Sequence, residues 1–239
     1  MITAGKNYTE RKFPVERRLI TDPFEAARRK NIVHGVFELD VTKFKQESKA
    51  QRISFLSRAL FAIARATVNH PIVNSYKMGN RLVQFNEVDI CIVVERVTGT
   101  ERLPLPYIIR NAHLKTAAEI HEEVEHAKKG DVKEIFMHKH MRFYLSLPKF
   151  IRTLYWRYLM ANPHMLKARV GTIAVTALHG IGNGMVHFDP LAPYTLTVAL
   201  GRISKHADGR YLMNITFSGD HDILDGMDGV IFGREFCRS

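Results

Sequence analysis

The stretch Tyr211–Gly226, with the sequence YLMNITFSGDHDILDG, combines a regular hydrophobic pattern with a concentrated group of ionisable residues. Its first part alternates between two faces, which is typical of a β-strand. One face carries Tyr211, Met213, Ile215 and Phe217, and the other carries Leu212, Asn214, Thr216 and Ser218. The pattern therefore predicts a strand that ends just before His221.

His221 is the candidate catalytic residue of this stretch. A histidine just beyond a strand is held firmly, and its ordinary pKa of about 6.5 suits a general base at neutral pH. Asp225 is expected to orient the loop or to pair with a cation, and Gly226 allows a close backbone approach. Taken alone, His-x-x-x-Asp-Gly is a weak motif that arises by chance in roughly a few per cent of chains of this length. A strand-capping loop with a hydrogen-bonded histidine is the alternative.

The rest of the chain predicts helices and strands in a mixed pattern, without repeats or low-complexity tracts. Ser54 and the pair Thr116 and Glu119 are expected helix-capping residues. Predicted helices cover residues 17–30, 54–69 and 116–129, and predicted strands cover 32–41, 82–95 (as two short strands), 171–177, 195–203 and 211–218. The pattern indicates a mixed α/β fold, which we assign to a single domain of residues 1–239.

Residues 135–170 differ from the rest of the chain in charge. They contain seven Lys and Arg residues and no Asp or Glu, in a chain whose formal net charge is +11. After Pro148, apolar residues recur at helical spacing: Phe150, Ile151, Leu154, Tyr155, Tyr158 and Leu159. The favoured interpretation is a helix that packs this stripe onto the core and turns its basic residues outward. The alternative is an interfacial helix that lies on lipid or contacts a long acyl chain.

Composition argues against several classes of protein. No apolar run is long enough to predict a membrane-spanning helix, and the polar start of the chain does not resemble a secretory signal, so we expect a cytoplasmic protein. Cys91 and Cys237 have no CxxC partner, and His138, His140 and His164 match no ligand spacing, so no metal is expected. The positive charge favours a polyanionic partner. Nucleic acid is not expected, because its binding motifs are missing from the sequence, and peripheral membrane contact is less favoured.

Five segments in sequence order resemble the catalytic domain of the dihydrolipoamide acyltransferases of 2-oxoacid dehydrogenase complexes. The stretch 217–226 is similar to the family signature around its catalytic histidine. The other similar segments are 54–76 (SFLSRALFAIARATVNHPIVNSY), 105–115 (LPYIIRNAHLK), 171–182 (GTIAVTALHGIG) and 195–203 (TLTVALGRI). The resemblance implies the chloramphenicol acetyltransferase fold, in which a central, mostly antiparallel or mixed sheet is flanked by helices.

The resemblance also implies a chemistry and an assembly. In this family a histidine removes the proton from a thiol of coenzyme A or of a dihydrolipoyl arm, and the thiolate attacks a thioester directly. His221 matches that base, and Thr176 matches the hydroxyl that stabilises the oxyanion. Asp225 matches a loop-supporting aspartate whose expected cationic partner is Arg17 or Arg18. The family forms trimers with the site between subunits, so we expect a homotrimer in which His221 meets Thr176 across an interface.

The predicted binding residues for coenzyme A, as an acyl-CoA substrate, come from two segments. Arg110 and Asn111 lie in a family-like stretch, and Arg152 and Arg157 lie in the basic segment. Asp222 departs from the family, which usually has arginine after its histidine.

Residues 177–179 also depart, with Ala-Leu-His in place of Asn-Leu-Gly. No lipoyl-bearing module precedes the domain, and residues 135–170 resemble an insertion. We therefore expect a free-standing acyltransferase without covalently bound lipoate, which uses coenzyme A or a separate acyl carrier. The alternatives are a small-molecule O-acetyltransferase of the chloramphenicol type and a catalytically silent trimeric scaffold.

Overall fold

The computed structural model describes residues 3–4, 7–10, 12–98, 101–129, 139–177 and 188–239. Within them, the strands are β1 (Thr3–Ala4), β2 (Thr9–Glu10), β3 (Ile32–Asp40), β4 (Ser75–Met78), β5 (Arg81–Gln84), β6 (Ile90–Thr98), β7 (Glu101–Ile109), β8 (Ile173–Ala177), β9 (Leu196–Lys205) and β10 (Tyr211–Asp220). The α-helices are α1 (Arg18–Ala27), α2 (Thr42–Gln51), α3 (Phe55–Asn69), α4 (Ala117–Lys129), α5 (Lys139–Ser146), α6 (Lys149–Ala161), α7 (Pro163–Val170) and α8 (Gly226–Arg238).

The central sheet has the strand order β3-β10-β9-β8-β6-β7. β8 runs parallel to both β6 and β9. The remaining neighbours in the sheet are antiparallel, so the sheet is mixed. β10 therefore lies between β3, which is formed early in the chain, and β9. The predicted mixed α/β class, with a central mixed sheet flanked by helices, is confirmed.

The helices begin where the sequence places caps. The Ser54 hydroxyl accepts the N–H of Ser57 at 3.1 Å, and the Thr116 hydroxyl accepts the N–H of Glu119 at 3.2 Å. Such caps typically contribute about 1 kcal/mol each. Helices α3, α4 and α8 contribute fully buried side chains to one core with the sheet, among them Leu60, Ile63, Ile120, Val124, Phe232 and Phe236.

Helix α2 and strand β7 are among the elements that were not predicted from the sequence. Helix α2 has a weakly amphipathic sequence in which only Phe44 and Ser48 are buried. Strand β7 contains Pro104 and Pro106, which disfavour a strand assignment. The structure accommodates these prolines because β7 is an edge strand of the sheet. Proline removes a ladder hydrogen bond, and an edge strand has one side where that loss costs little.

The predicted orientation of α6 is wrong. The buried residues of this helix are Arg152, Trp156 and Leu159, whereas Phe150 and Leu154 face outward. The cause is a carboxylate on α1, which packs against α6. Asp22 Oδ2 accepts a hydrogen bond from Arg152 Nε at 2.8 Å, and both side chains are buried. A buried carboxylate requires a charged partner, so Arg152 turns inward, while Lys149 and Arg157 remain exposed as predicted.

None of the helices in the described part of the chain is both long and apolar enough to cross a membrane.

Candidate active site

Strand β10 delivers His221 to one end of the sheet. The strand ends at Asp220, and the His221 N–H donates to the carbonyl oxygen of Asn31 at 2.7 Å. Asn31 directly precedes β3, the antiparallel neighbour of β10. The backbone at His221 is therefore fixed to the adjacent strand, while its side chain remains half exposed.

The imidazole of His221 has a defined hydrogen-bonding arrangement. Its Nδ1 lies 2.9 Å from the carbonyl oxygen of Leu224. A carbonyl oxygen only accepts hydrogen bonds, so Nδ1 carries the proton. In the neutral ring, Nε2 then holds the free lone pair. The arrangement presents Nε2 as a proton acceptor, which is the form that a general base requires.

Asp225 and Asp228 support the loop that follows His221. Asp225 Oδ1 lies 3.4 Å from Nδ1 of His221, and its side chain is otherwise largely exposed. The Asp225 N–H donates to Asp228 Oδ2 at 2.7 Å, and Asp228 Oδ1 lies 2.9 Å from Nε2 of His70. The first turn of α8 is thus tied to the end of α3.

The expected pairing of Asp225 with Arg17 or Arg18 is wrong for Arg18 within one chain. A guanidinium nitrogen of Arg18 donates instead to the carbonyl oxygen of Leu145 at 2.7 Å. The ionisable group that the structure places beside Asp225 is the imidazole of His221, whose Nδ1 lies 3.4 Å from Asp225 Oδ1. The sequence prediction failed for Arg18 because its side chain is directed to α5.

The carboxylates that flank His221 are both neutralised by lysines. Asp220 forms a buried ion pair with Lys30 at 2.6 Å. Asp222 accepts from Lys77 Nζ at 2.7 Å and from the Asn31 amide at 2.8 Å. The hydrogen bond from Lys77, followed by that from Asn31, lowers the pKa of Asp222 below its ordinary value. Asp222 therefore acts as a fixed anion that connects the loop to β4.

A pocket of about 260 Å³ opens beside the imidazole. Its walls come from β3, β10 and the first turns of α8, and its lining includes His34, Phe37, Phe217, His221, Asp228 and Phe232. The lining is largely apolar with a few polar groups, which is the usual character of a small-molecule site. His34 Nδ1 lies 2.8 Å from the Ser218 hydroxyl, so a second imidazole is held in the same pocket.

Thr176 lies far from His221 in the same chain. It is opposite Ala199 of β9, and Ala199 is opposite Thr216 of β10. His221 follows Thr216 by five residues, or about 17 Å along the strand direction, and two strand spacings add about 10 Å sideways. One chain therefore does not bring the predicted base and the predicted oxyanion donor together.

Two of the predicted binding residues have structural partners. Arg110 donates to Asp89 Oδ2 at 2.8 Å and to the carbonyl oxygen of Ala168 at 2.7 Å, so it closes the end of α7. Arg152 forms the buried pair with Asp22. Asn111 lies in a left-handed backbone conformation, with φ of 50°. Arg157 is exposed on α6.

Asp89, the partner of Arg110, interacts with several groups that stabilise its ionised form. Burial raises the pKa of its carboxyl, but the Asn111 N–H, Arg110 and Lys167 together bring it below the ordinary value. Arg110 and Asn111 are thus parts of one structural cluster. Their predicted contact with coenzyme A stays a prediction.

The cysteine thiols have the properties of structural residues. Cys91 is buried, and burial raises the pKa of its thiol to about 11. Burial also raises the pKa of Cys237. A thiol with a raised pKa is a poor nucleophile because the thiolate is the reactive form. Among the described residues, no three potential metal ligands lie close together, while His138 and His179 lie outside those residues.

His34 and His70 were missed by reasoning from the sequence. His34 lies on a strand predicted correctly, opposite Ser218 in the register with β10. Its alternation with Val33 and Gly35 gave no signal of a pocket, because the partner strand was unknown. His70 follows α3 and precedes Pro71, and its pairing with Asp228 joins residues 158 positions apart.

The chain is similar to known proteins in sequence and in fold. Residues 30–139 match the family model of the 2-oxoacid dehydrogenases acyltransferase (catalytic domain). A dihydrolipoyllysine-residue acetyltransferase component of the pyruvate dehydrogenase complex from Rickettsia conorii is 25% identical over 200 residues, which cover 81% of this chain. The chain spans 41% of the length of that relative.

Solved structures extend the similarity to nearly the whole chain. The probable dihydrolipoamide acetyltransferase of Listeria monocytogenes superposes with a TM-score of 0.70 at 17% identity, covering 98% of this chain and 94% of that one. A chloramphenicol acetyltransferase superposes with a TM-score of 0.56 at 14% identity, covering 95% of this chain and 98% of that one.

The fold is therefore that of the chloramphenicol acetyltransferase class, as the sequence predicts. Within that class, the sequence similarity is to the acyltransferase catalytic domain of 2-oxoacid dehydrogenase complexes, matched over residues 30–139. The predicted resemblance to this family is confirmed.

Proposed function

We propose that this protein transfers an acyl group between thioester carriers, with His221 as the general base. The observation that carries the proposal is the hydrogen bond from Nδ1 of His221 to the carbonyl oxygen of Leu224. It fixes the tautomer in which Nε2 accepts a proton, beside the largely apolar pocket of about 260 Å³.

The reaction proceeds by direct transfer. Nε2 of His221 takes the proton from the acceptor thiol, whose ordinary pKa of about 8.5 leaves it mostly protonated at neutral pH. The thiolate sulfur then forms a bond to the thioester carbon, and negative charge develops on the carbonyl oxygen. The bond from that carbon to the donor sulfur breaks, and the imidazolium returns its proton to the departing thiolate. The raised thiol pKa values of Cys91 and Cys237 agree with a route that forms no acyl-enzyme.

Thr176 stabilises the oxyanion from a neighbouring subunit. A hydroxyl donor contributes to the transition state only if it lies within hydrogen-bonding distance of the developing charge. The separation of Thr176 from His221 along the sheet of one chain is too large for that contact. A homotrimer, in which the His221 pocket of one subunit faces Thr176 of the next, resolves the separation.

The acyl carriers are separate substrates. Coenzyme A, dihydrolipoyl groups and carrier-protein thiols share a flexible arm that ends in a thiol. Coenzyme A also carries phosphates, which a guanidinium can bind. Arg157 is the exposed member of the predicted binding residues, and none of the hydrogen bonds or ion pairs described above involves its side chain.

Thioester transfer assays test the proposal. Purified protein and its His221→Ala variant are compared with acyl-CoA donors of several chain lengths and with dihydrolipoamide and pantetheine as acceptors. Loss of the general base is expected to lower kcat by about 10²–10⁴. His206→Ala, which changes an exposed histidine in the turn between β9 and β10, is the matched control and is expected to retain activity.

The same assay separates the alternatives. Transfer only to a hydroxylated small molecule would favour an O-acetyltransferase. Wild-type trimers that are inactive with every donor and acceptor would contradict the proposal and support a silent scaffold. Equal activity in wild type and His221→Ala would remove His221 from the mechanism.

A further inference from the structure

Helices α5 and α6 expose an unusual set of apolar side chains. We name Phe143, Phe150, Leu154 and Tyr158 the aromatic face. Their exposed fractions are 66%, 72%, 65% and 52%. Single exposed apolar residues are ordinary on a protein surface, but four on two consecutive helices indicate an interaction surface.

The geometry of α6 separates its two faces. At about 100° per residue, Phe150, Leu154 and Tyr158 span roughly 80° of the helix circumference. The buried residues Arg152, Trp156 and Leu159 lie on the opposite side. The helix therefore has one polar-and-aromatic side packed inward and one apolar side that points away from the protein.

Hydrogen bonds prevent the helix from rolling to bury its apolar side. Asp22 accepts from Arg152 Nε and from the Tyr144 hydroxyl, and Trp156 Nε1 donates to that hydroxyl at 2.9 Å. These hydrogen bonds join α1, α5 and α6. We call the bonded group, Asp22, Tyr144, Arg152 and Trp156, the Asp22 knot. Rotation of α6 would leave the Asp22 carboxylate buried without a charged partner, which is strongly unfavourable.

Cations surround the aromatic face. Arg142, Lys149 and Arg157 are exposed on the same two helices. Residues 139–170 contain no Asp or Glu, and the acidic group that approaches from α1 is Glu25, 3.2 Å from Lys149. On α6, Arg157 lies about 20° from Phe150 around the helix axis. Positive charge is therefore placed beside apolar side chains.

We propose that the aromatic face binds an anionic lipid surface. Phe150, Leu154 and Tyr158 would enter the boundary between headgroups and acyl chains, while Arg157 contacts lipid phosphates. An isologous contact with a second copy of the chain fits less well, because it would place these cations against their own equivalents. A heterologous contact, as between neighbours in the proposed trimer, is separated from lipid binding by the mass measurement below. The proposal is independent of the chemistry assigned to His221.

Vesicle co-sedimentation tests the proposal. The full chain is mixed with vesicles of phosphatidylcholine, with or without phosphatidylglycerol, at low and at high salt. Binding is expected only with phosphatidylglycerol, and it should weaken with salt because surface charge interactions are screened. The double variant Phe150→Ser, Leu154→Ser is expected to bind at least about tenfold more weakly. Arg157→Glu is expected to bind about tenfold more weakly.

Matched controls define the outcomes. Leu114→Ser removes an apolar side chain that is 75% exposed on another part of the surface, and Arg81→Glu reverses an exposed charge on β5. Both should bind as wild type does. The proposal is overturned if wild type ignores phosphatidylglycerol vesicles, or if the aromatic-face variants bind as well as the controls. It is also overturned if the double variant changes the molecular mass in solution, because the face would then be a contact between copies.

Discussion

Ion pairs stabilise both the loop around His221 and the knot around Asp22, but the two pairs have different structural roles. At the loop, Lys77 and Asp222 are largely exposed, and the paired groups hold a side chain that must remain accessible. At the knot, Arg152 and Asp22 are both buried, and the pair determines which side of α6 meets the protein. Exposed pairs contribute little to stability, whereas breaking a buried pair is costly. The two regions should therefore respond to substitution in opposite ways, one in activity and the other in folding.

The largest effect on activity is expected from removing either His221 or Thr176, which belong to different subunits in the proposed site. His221→Ala and Thr176→Ala should each lower kcat, by about 10²–10⁴ and about 10²–10³ respectively. Because each variant retains what the other lacks, trimers reassembled from an equal mixture should regain a measurable part of the wild-type rate. The rate is measured on trimers shown to be mixed by differential tagging.

Absence of any recovery in verified mixed trimers would contradict the shared site. Neither variant should change the unfolding free energy by more than about 1 kcal/mol, because His221 is half exposed and Thr176→Ala removes few atoms. A large loss of stability in His221→Ala would contradict the prediction that substitutions at the loop affect activity while those at the Asp22 knot affect folding.

The next effect concerns stability at the knot. Arg152→Met should lower the free energy of unfolding by about 3–5 kcal/mol, because it leaves the Asp22 carboxylate buried and unpaired. Arg157→Met, on the exposed side of the same helix, should change it by no more than about 0.5 kcal/mol. Urea unfolding of both variants measures the difference.

Asp22→Asn in the Arg152→Met background should restore part of the loss, since the uncompensated charge is then gone. Equal unfolding midpoints for Arg152→Met and Arg157→Met would show that the knot does not hold α6.

The smallest effect is a pH dependence at the loop. The lowered pKa of Asp222 means that its ion pair adds stability above the ordinary pKa of aspartate. That contribution is lost as the pH falls through the lowered, folded-state pKa. Asp222→Asn should thus differ slightly from wild type at neutral pH, and the difference should shrink on acidification. Thermal melting from neutral to strongly acidic pH measures it.

Lys77→Met supplies the control, because it removes the largest cause of the lowered pKa. In that background Asp222→Asn should have a much smaller effect at every pH. A pH dependence that persists unchanged would assign the effect to other carboxylates.

The sequence predicted the loop better than the knot because of the range of the interactions involved. The alternation along β10 and the position of His221 after it are local properties, and the structure confirms the strand. The orientation of α6 depends on Asp22, which is 130 residues from Arg152. Hydrophobic periodicity identified the helix, but it could not reveal that a distant carboxylate draws Arg152 inward and leaves Phe150 and Leu154 exposed.

The site itself was predictable only in its individual residues. His221, Asp225 and Thr176 were predicted from the motif and from the family resemblance, and their roles stay predictions. The distance between His221 and Thr176 follows from the order of strands β8, β9 and β10, which no local pattern encodes. His34 enters the pocket only through its register with Ser218, and His70 reaches Asp228 across the packing of α3 against α8.

The interior position of β10 has a consequence for how the protein is made. β3, formed by residues 32–40, has β10 as its sheet neighbour. Its inter-strand hydrogen bonds therefore cannot form until residues 211–220 have been synthesised. A ribosome therefore releases most of the chain before the sheet can close. During that interval, β3 and β9 present unpaired edges, which favour association with other chains. We expect nascent chains that stop before residue 211 to remain protease-sensitive and to recruit chaperones.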